Sequence, residues 1–440
     1  MEGYQKRLTY SPEEPISIKG KVETARNSIS NGVLSSEIGI LDSTKKMDSL
    51  VRESMEDVSK EVSEEFRLNE GEQPFAIFLF GSPSRNLMLP NSDLDVGLIF
   101  AEDCPEEIKS SLNEKVSVLP FDKIDIASWT TIGAMHKENC PDMIEYNKAI
   151  DAKFVAGNPR FSEQHIREVR NKDTKEDRAQ RFITEYGLLH RYDYLSKRTE
   201  HGPNLKYDFG ASRDVIFLDW YFLLNADSKE TEMKEPFFKG GLDALLKEGS
   251  ISSDEWKNFS EQIELVLLVK FTLLSKFRNG GSKSLLHLSN FSLHEAYKEA
   301  PTAFKKLGIS NGDELVSDYY NAKLALHGLV ERMYAKVCAT SPELPEIWKM
   351  AEEETSLDGR VTKVLNDKTW YNLVPFAVRS KSPEILDFLV NSIRDLPGYE
   401  YVLRIASENQ FLKDETKKTL LLNSRLADKF KNKLTATINL

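Results

Sequence analysis

Two runs of strand-forming residues, FAIFLF at 75–80 and LDVGLIFA at 94–101, flank a loop that begins Gly81-Ser82 and ends Asn91-Ser92. The second run is entered through Asp93-Leu94-Asp95. Strand side chains alternate faces, so Asp93 and Asp95 point one way while Leu94 and Val96 point into a core. Two carboxylates aimed at one place repel each other, and a cation there relieves the repulsion. An oxygen-only, doubly negative site suits Mg²⁺ (or Mn²⁺), which keeps several waters and completes its shell with substrate phosphates. Gly81 lets a phosphate come close to the backbone, Ser82 adds a hydroxyl, and N–H groups at a following helix start would face the anion. Together these elements describe a nucleoside triphosphate (NTP) site.

Two-metal phosphoryl chemistry asks for a further carboxylate near the first pair. KIDIASW at 123–129 supplies Asp125 between Ile124 and Ile126 on another predicted strand. Asp122, in the turn Pro120-Phe121-Asp122, reads as a solvated turn residue. A Gly-Ser dipeptide alone is most often a turn, and Asp-x-Asp alone a cap or solvated loop. The order of the three features, with strands around them, is what points to chemistry.

The surrounding chain fits an α+β fold. From Asp42 to Asn69, Met47, Val51, Met55, Val58, Val62 and Phe66 recur at helical spacing, so a helix precedes the strands. CPEEIKSSLNEK at 104–115 has the Pro and acids of a helix start, and VSVL at 116–119 reads as a short strand. Beyond Asn158-Pro159 long helical patterns dominate, including an apolar helix over DVIFLDWYFLLNA that should be central to a bundle. ATSPELPE at 339–346 reads as a linker, and the rest is helical without a clean repeat. We therefore expect an N-terminal helical segment (1–69), a small mixed-sheet domain (70–160), a helical bundle (161–340) and a helical C-terminal region (341–440).

Composition narrows the partners. The net charge of -11 and the lack of a basic tract disfavour RNA and anionic lipid. Cys104, Cys140 and Cys338 are scattered without CxxC spacing, which indicates neither a disulfide framework nor structural zinc. No apolar leader or membrane-spanning stretch is evident, so a cytoplasmic protein is expected. The seven histidines have no metal-ligand spacing; His190, His287, His294 and His327 read as residues of helical faces.

GSPSRNLMLPNSDLDVGLI resembles the nucleotidyltransferase motif of the DNA polymerase beta superfamily, and within it the PII-protein uridylyltransferase group and its shorter relatives. Gly81, Arg85, Pro90, Ser92, Asp93 and Asp95 fall on that group's loop without a gap, whereas Ser84, Asn86 and Leu87 replace its Gly, Gly and Glu. A second segment, GPNLKYDFGASRDVIFLDW, is similar to the same group at Pro203, Asn204, Lys206, Gly210, Arg213, Asp214 and Trp220. The likeness covers residues 45 to 335.

The resemblance implies a transferase that moves a nucleoside monophosphate (NMP) from an NTP to a protein or small-molecule hydroxyl. Asp93, Asp95 and Asp125 would hold metal; Gly81, Ser82, Arg85, Ser92, Lys206, Arg213 and Asp214 would bind nucleotide. Read from the residues alone, Arg213 meets phosphate or joins an internal salt link, Asp214 caps its helix, and Arg85 is at phosphate or is an ordinary loop arginine. The chain has no His-Asp dipeptide, so the group's phosphohydrolase and glutamine-sensing functions are not expected. The C-terminal helices are a candidate partner-binding module. The alternatives are an RNA-tailing enzyme and a non-catalytic nucleotide sensor.

Overall fold

A computed structural model describes residues 17–69, 71–129, 132–135, 149–184, 205, 210–225, 236–277, 289–340, 343–367, 370–394, 402–403, 406–407, 409 and 411–421. Helices α1 (Ile18–Leu34) and α2 (Ile40–Glu65) lead into β1 (Phe75–Leu79), the single turn α3 (Gly81–Ser84) and β2 (Leu94–Phe100). Next come α4 (Glu106–Ser117), β3 (Ile124–Trp129) and β4 (Lys153–Gly157). The strands form one mixed sheet in the order β3-β2-β1-β4, with β1 antiparallel to both β2 and β4 and β2 parallel to β3. The fold class is α+β, as expected.

The alternation of the strands divides the sheet into two faces. Phe75, Ile77, Leu79, Leu94, Val96 and Leu98 share a core with Val22, Met47, Val51, Met55, Val58, Val62, Ile108, Leu112 and Val116. Thus α1 and α2, expected as a segment of their own, cover one face of the sheet together with α4. The opposite face carries Ala76, Phe78, Phe80 and Ile99, packed with Ile132, Met135, Ala149 and Val169. Asp93, Asp95 and Asp125 lie on this second face by the same alternation.

Two local expectations are corrected. VSVL is not a strand: α4 runs through Ser117, because Ile108, Leu112 and Val116 form a buried stripe at four-residue steps. Most of the stretch read as a linker at 339–346 is helical where it is described: one helix runs through Thr340 and the next begins at Glu343. Pro345 falls in that helix's first turn, where its missing N–H costs no bond.

After α5 (Pro159–Glu168), started by the Asn158 side chain accepting from Arg160 N–H at 3.1 Å, the elements among the described residues are all helices. Helices α6 (Lys175–Thr184), α7 (Ser212–Asn225), α8 (Phe237–Lys247), α9 (Ser253–Phe277), α10 (Asn290–Glu299), α11 (Pro301–Lys306) and α12 (Gly312–Thr340) build a bundle. Its core includes Phe182, Val215, Phe217, Leu218, Tyr221, Phe271, Phe304 and Tyr319, so the apolar α7 is central, as its sequence demands. Helices α13 (Glu343–Glu353), α14 (Gly359–Asp367), α15 (Trp370–Arg379), α16 (Pro383–Ile393) and α17 (Asp414–Leu421) gather around a separate core containing Leu373, Phe376, Leu386 and Leu389. No helix among the described residues is long and apolar enough to cross a membrane.

Candidate active site

The β1–β2 ladder ends at Leu79 and Val96, and Phe80 N–H still donates to the Asp95 carbonyl at 3.1 Å. This sets Gly81 directly beside Asp95. Gly81 has φ +62°, and a Cβ built on it would lie 2.5 Å from Asp95 Oδ2. Only glycine accommodates both the left-handed backbone and the carboxylate pressed against it.

On the other side of β2, Asp95 pairs in register with Asp125 of the parallel strand β3, just as Leu94 pairs with Ile124. Register partners in parallel strands project to the same face, so the two carboxylates are neighbours. Asp93 and Asp125 are exposed and Asp95 is half-buried. One step back along the register, where Leu94 N–H donates to the Lys123 carbonyl at 2.8 Å, Lys123 comes beside Asp93. Lys123 Nζ contacts Asp125 Oδ2 at 2.5 Å. The hydrogen bond to Asp125, with the charges of Asp125, Asp93 and Asp95, raises the pKa of this ammonium above the ordinary lysine value. Four positions on one sheet face therefore hold three acids and one base. Lys123 was missed in the sequence, although its place two residues before Asp125 puts it on the same face.

The turn that launches β3 is fixed from behind. Arg26, buried in α1, donates to the Pro120 carbonyl and to Asp122. Asp122 is an exposed turn residue, as read, but its carboxylate turns back toward α1 and pairs with Arg26. Burial raises its pKa, opposed by Arg26, and the nearby Asp93 charge adds to the rise.

The loop between α3 and β2 is clamped into the bundle. Leu87 and Leu89 belong to the bundle core, and Asn91 Nδ2 donates to the Phe271 carbonyl at 2.8 Å and to Ser275 Oγ at 3.1 Å. Ser92, expected at the nucleotide, accepts from Leu89 N–H at 3.1 Å and closes the turn. Arg85, also expected there, instead points inward: it lies 3.2 Å from Asp151 and 3.2 Å from Asp219, which is fully buried on α7. Burial pushes the Asp219 carboxyl well above the usual range, against Arg85 and with Asp151.

The second motif is divided. Lys206 lies outside the described residues, as do Cys140, His190 and His287. Arg213 is half-buried in the first turn of α7. Asp214 accepts from Gly210 N–H at 2.7 Å and lies 3.8 Å from His327 Nδ1 of α12. Its carboxylate thus holds the chain just ahead of the helix, in the first turn of which it lies. Gly210, at φ +71°, lies so close to α12 that a Cβ there would be 1.9 Å from the Lys323 carbonyl oxygen.

Among the described residues, no three His, Cys, Asp or Glu side chains converge closely enough to enclose a metal ion. The donor chemistry nevertheless fits a hard divalent cation: two carboxylates side by side, a third on the same face, and the glycine turn against one of them. Beyond Asp95 on this face, bare Gly97 admits the Phe80 ring, which meets Trp129 edge-on at 5.1 Å and gives the acids an apolar floor.

Residues 55–150 match the family model of a nucleotidyltransferase domain. The matched span takes in the second half of α2, the glycine turn, all three acids and Lys123. No curated protein matches the chain.

Proposed function

We propose that the protein transfers an NMP from an NTP to a hydroxyl of a protein or small molecule, with release of pyrophosphate. The observation that carries this reading is the in-register pair Asp95 and Asp125 beside the left-handed Gly81. Backbone N–H groups at Gly81-Ser82, with the Ser82 hydroxyl, would hold the triphosphate. Arg213 and Lys206 are retained as proposed phosphate contacts; Arg85, Ser92 and Asp214 are not, because their polar groups serve the fold.

Asp93, Asp95 and Asp125 would hold Mg²⁺ or Mn²⁺, which when bound neutralises phosphate charge and acidifies the acceptor hydroxyl. The acceptor oxygen bonds to the α-phosphorus as the bridge to the β-phosphate breaks, and the hydroxyl proton passes to an Asp125 carboxylate oxygen. The pyrophosphate carries away the bonding pair. Catalysis then rests on positioning and charge complementarity.

The separate core of α13–α17 supports a role for those helices in presenting a protein acceptor. The acidic balance favours such an acceptor over RNA. The test offers four α-labelled NTPs with Mg²⁺ or Mn²⁺ to the full chain plus cell lysate, beside Asp95→Asn. Label that appears in a protein or small molecule and vanishes in the variant supports the proposal. Nucleotide binding without transfer would favour a sensor, and salt-sensitive RNA labelling would favour a tailing enzyme.

A further inference from the structure

Lys123 has no part in the transfer as described, yet it completes the acidic face. Asp95 and Asp125 are register partners, Lys123 follows Asp93 across the strands, and Lys123 Nζ is 2.5 Å from Asp125 Oδ2. Like charges paired across strands destabilise a sheet. A tethered ammonium at the fourth corner offsets that repulsion without any bound ion. Its side chain is 60% exposed on a four-carbon stem, so nothing buries it in place. Lysine is suited to leave, since its ammonium is a point charge and is not locked in a planar fork.

We propose that Lys123 is the resident counter-ion of the Asp93, Asp95 and Asp125 carboxylates, displaced from Asp125 when a divalent cation binds. This inference rests on the metal-binding reading of those acids. The ammonium and the divalent ion compete for the same oxygens. The charge of the metal-free acids is thereby partly offset, and affinity for metal without nucleotide is held down. Lys123 is a positioning residue in this scheme, acting on the carboxylates that hold the ion.

The probe is Mn²⁺ alone, titrated into nucleotide-free, full-length protein, with unbound Mn²⁺ measured by electron paramagnetic resonance. Removing one positive charge a few ångströms from a dication at the surface should tighten Mn²⁺ binding about tenfold in Lys123→Met and Lys123→Gln. Lys123→Arg, which keeps the charge, should bind Mn²⁺ no more tightly than wild type. Circular dichroism checks that each variant is folded. Equal or weaker Mn²⁺ binding by the neutral variants overturns the inference, as does undetectable binding by all of them. Asp95→Asn in the same titration separates the two levels. If it abolishes Mn²⁺ binding while the Lys123 variants match wild type, only the counter-ion role fails. If it changes nothing, the metal reading of the acids fails as well.

Discussion

The Asp95 carboxylate lies where any side chain on Gly81 would have to go, 2.5 Å from the position of a Cβ. Gly81→Ala must therefore move the carboxylate or the turn, besides carrying roughly 1–2 kcal/mol of left-handed strain. The expected outcome is a folded protein with a modestly lower Tm and at least a tenfold loss of NMP transfer. Thermal melts alongside the labelled-nucleotide assay measure the two effects separately. An alanine variant with full transfer would remove the turn from the site.

Arg85 and Asp219 form a buried contact between the loop after α3 and α7, with unequal consequences for the two partners. Arg85→Ala leaves the buried Asp151 without its cation, which should cost about 3–5 kcal/mol in urea denaturation. Asp219→Asn should be far milder, because burial already favours its protonated form. A carboxyl whose folded pKa is raised contributes stability that is whole below about pH 4 and is lost as pH rises through the folded value. The asparagine variant should therefore gain on wild type as pH is raised from acid to neutral. A parallel pH profile for the two proteins would contradict a proton-holding Asp219.

Strand period made β1, β2, β3 and the shared face of Asp93 and Asp95 legible in the sequence. The pairing of Asp95 with Asp125 was not, because register is a tertiary choice made across the intervening α4. Val116 was misread as strand-forming because its β-branched side chain outweighed its helical spacing from Leu112. The five-residue β4 went unseen, having too few residues to display a period. Arg85 looked like a phosphate ligand because its buried partners are remote in sequence; only folding brings Asp151 and Asp219 to it.

Gly210 and Asp214 tie the start of α7 to α12, so their effects should fall on stability. Gly210→Ala sets a Cβ 1.9 Å from the Lys323 carbonyl oxygen, and backbone cannot yield there cheaply. A loss of about 3 kcal/mol or more is expected from overpacking plus left-handed strain. Transfer per folded molecule, assayed well below the midpoint of the melt, should be unchanged. A selective loss of NTP affinity with no change in Tm would place Gly210 at the nucleotide beside the proposed Lys206 and Arg213 contacts.

His165 sets an acid limit on the sheet domain. It is buried on α5, donates from Nε2 to the Ala149 carbonyl at 2.6 Å and packs edge-on to Phe78 at 5.3 Å. Burial, with the Arg170 charge adding, pushes its pKa down to about 3, against the hydrogen bond to Ala149. The unfolded chain takes up this proton near pH 6.5, whereas the folded chain resists until about 3. Between those values the unfolded state binds more protons, so the histidine's contribution is whole above about pH 6.5 and falls on acidification. The slope from this group alone approaches about 1.4 kcal/mol per pH unit. Urea midpoints at pH 7.5, 6 and 5 should fall more steeply for wild type than for His165→Gln, which keeps an amide donor for Ala149 and carries no titrating group. Equal slopes for the two proteins would mean that the imidazole takes up its proton in the folded state as readily as in the unfolded chain.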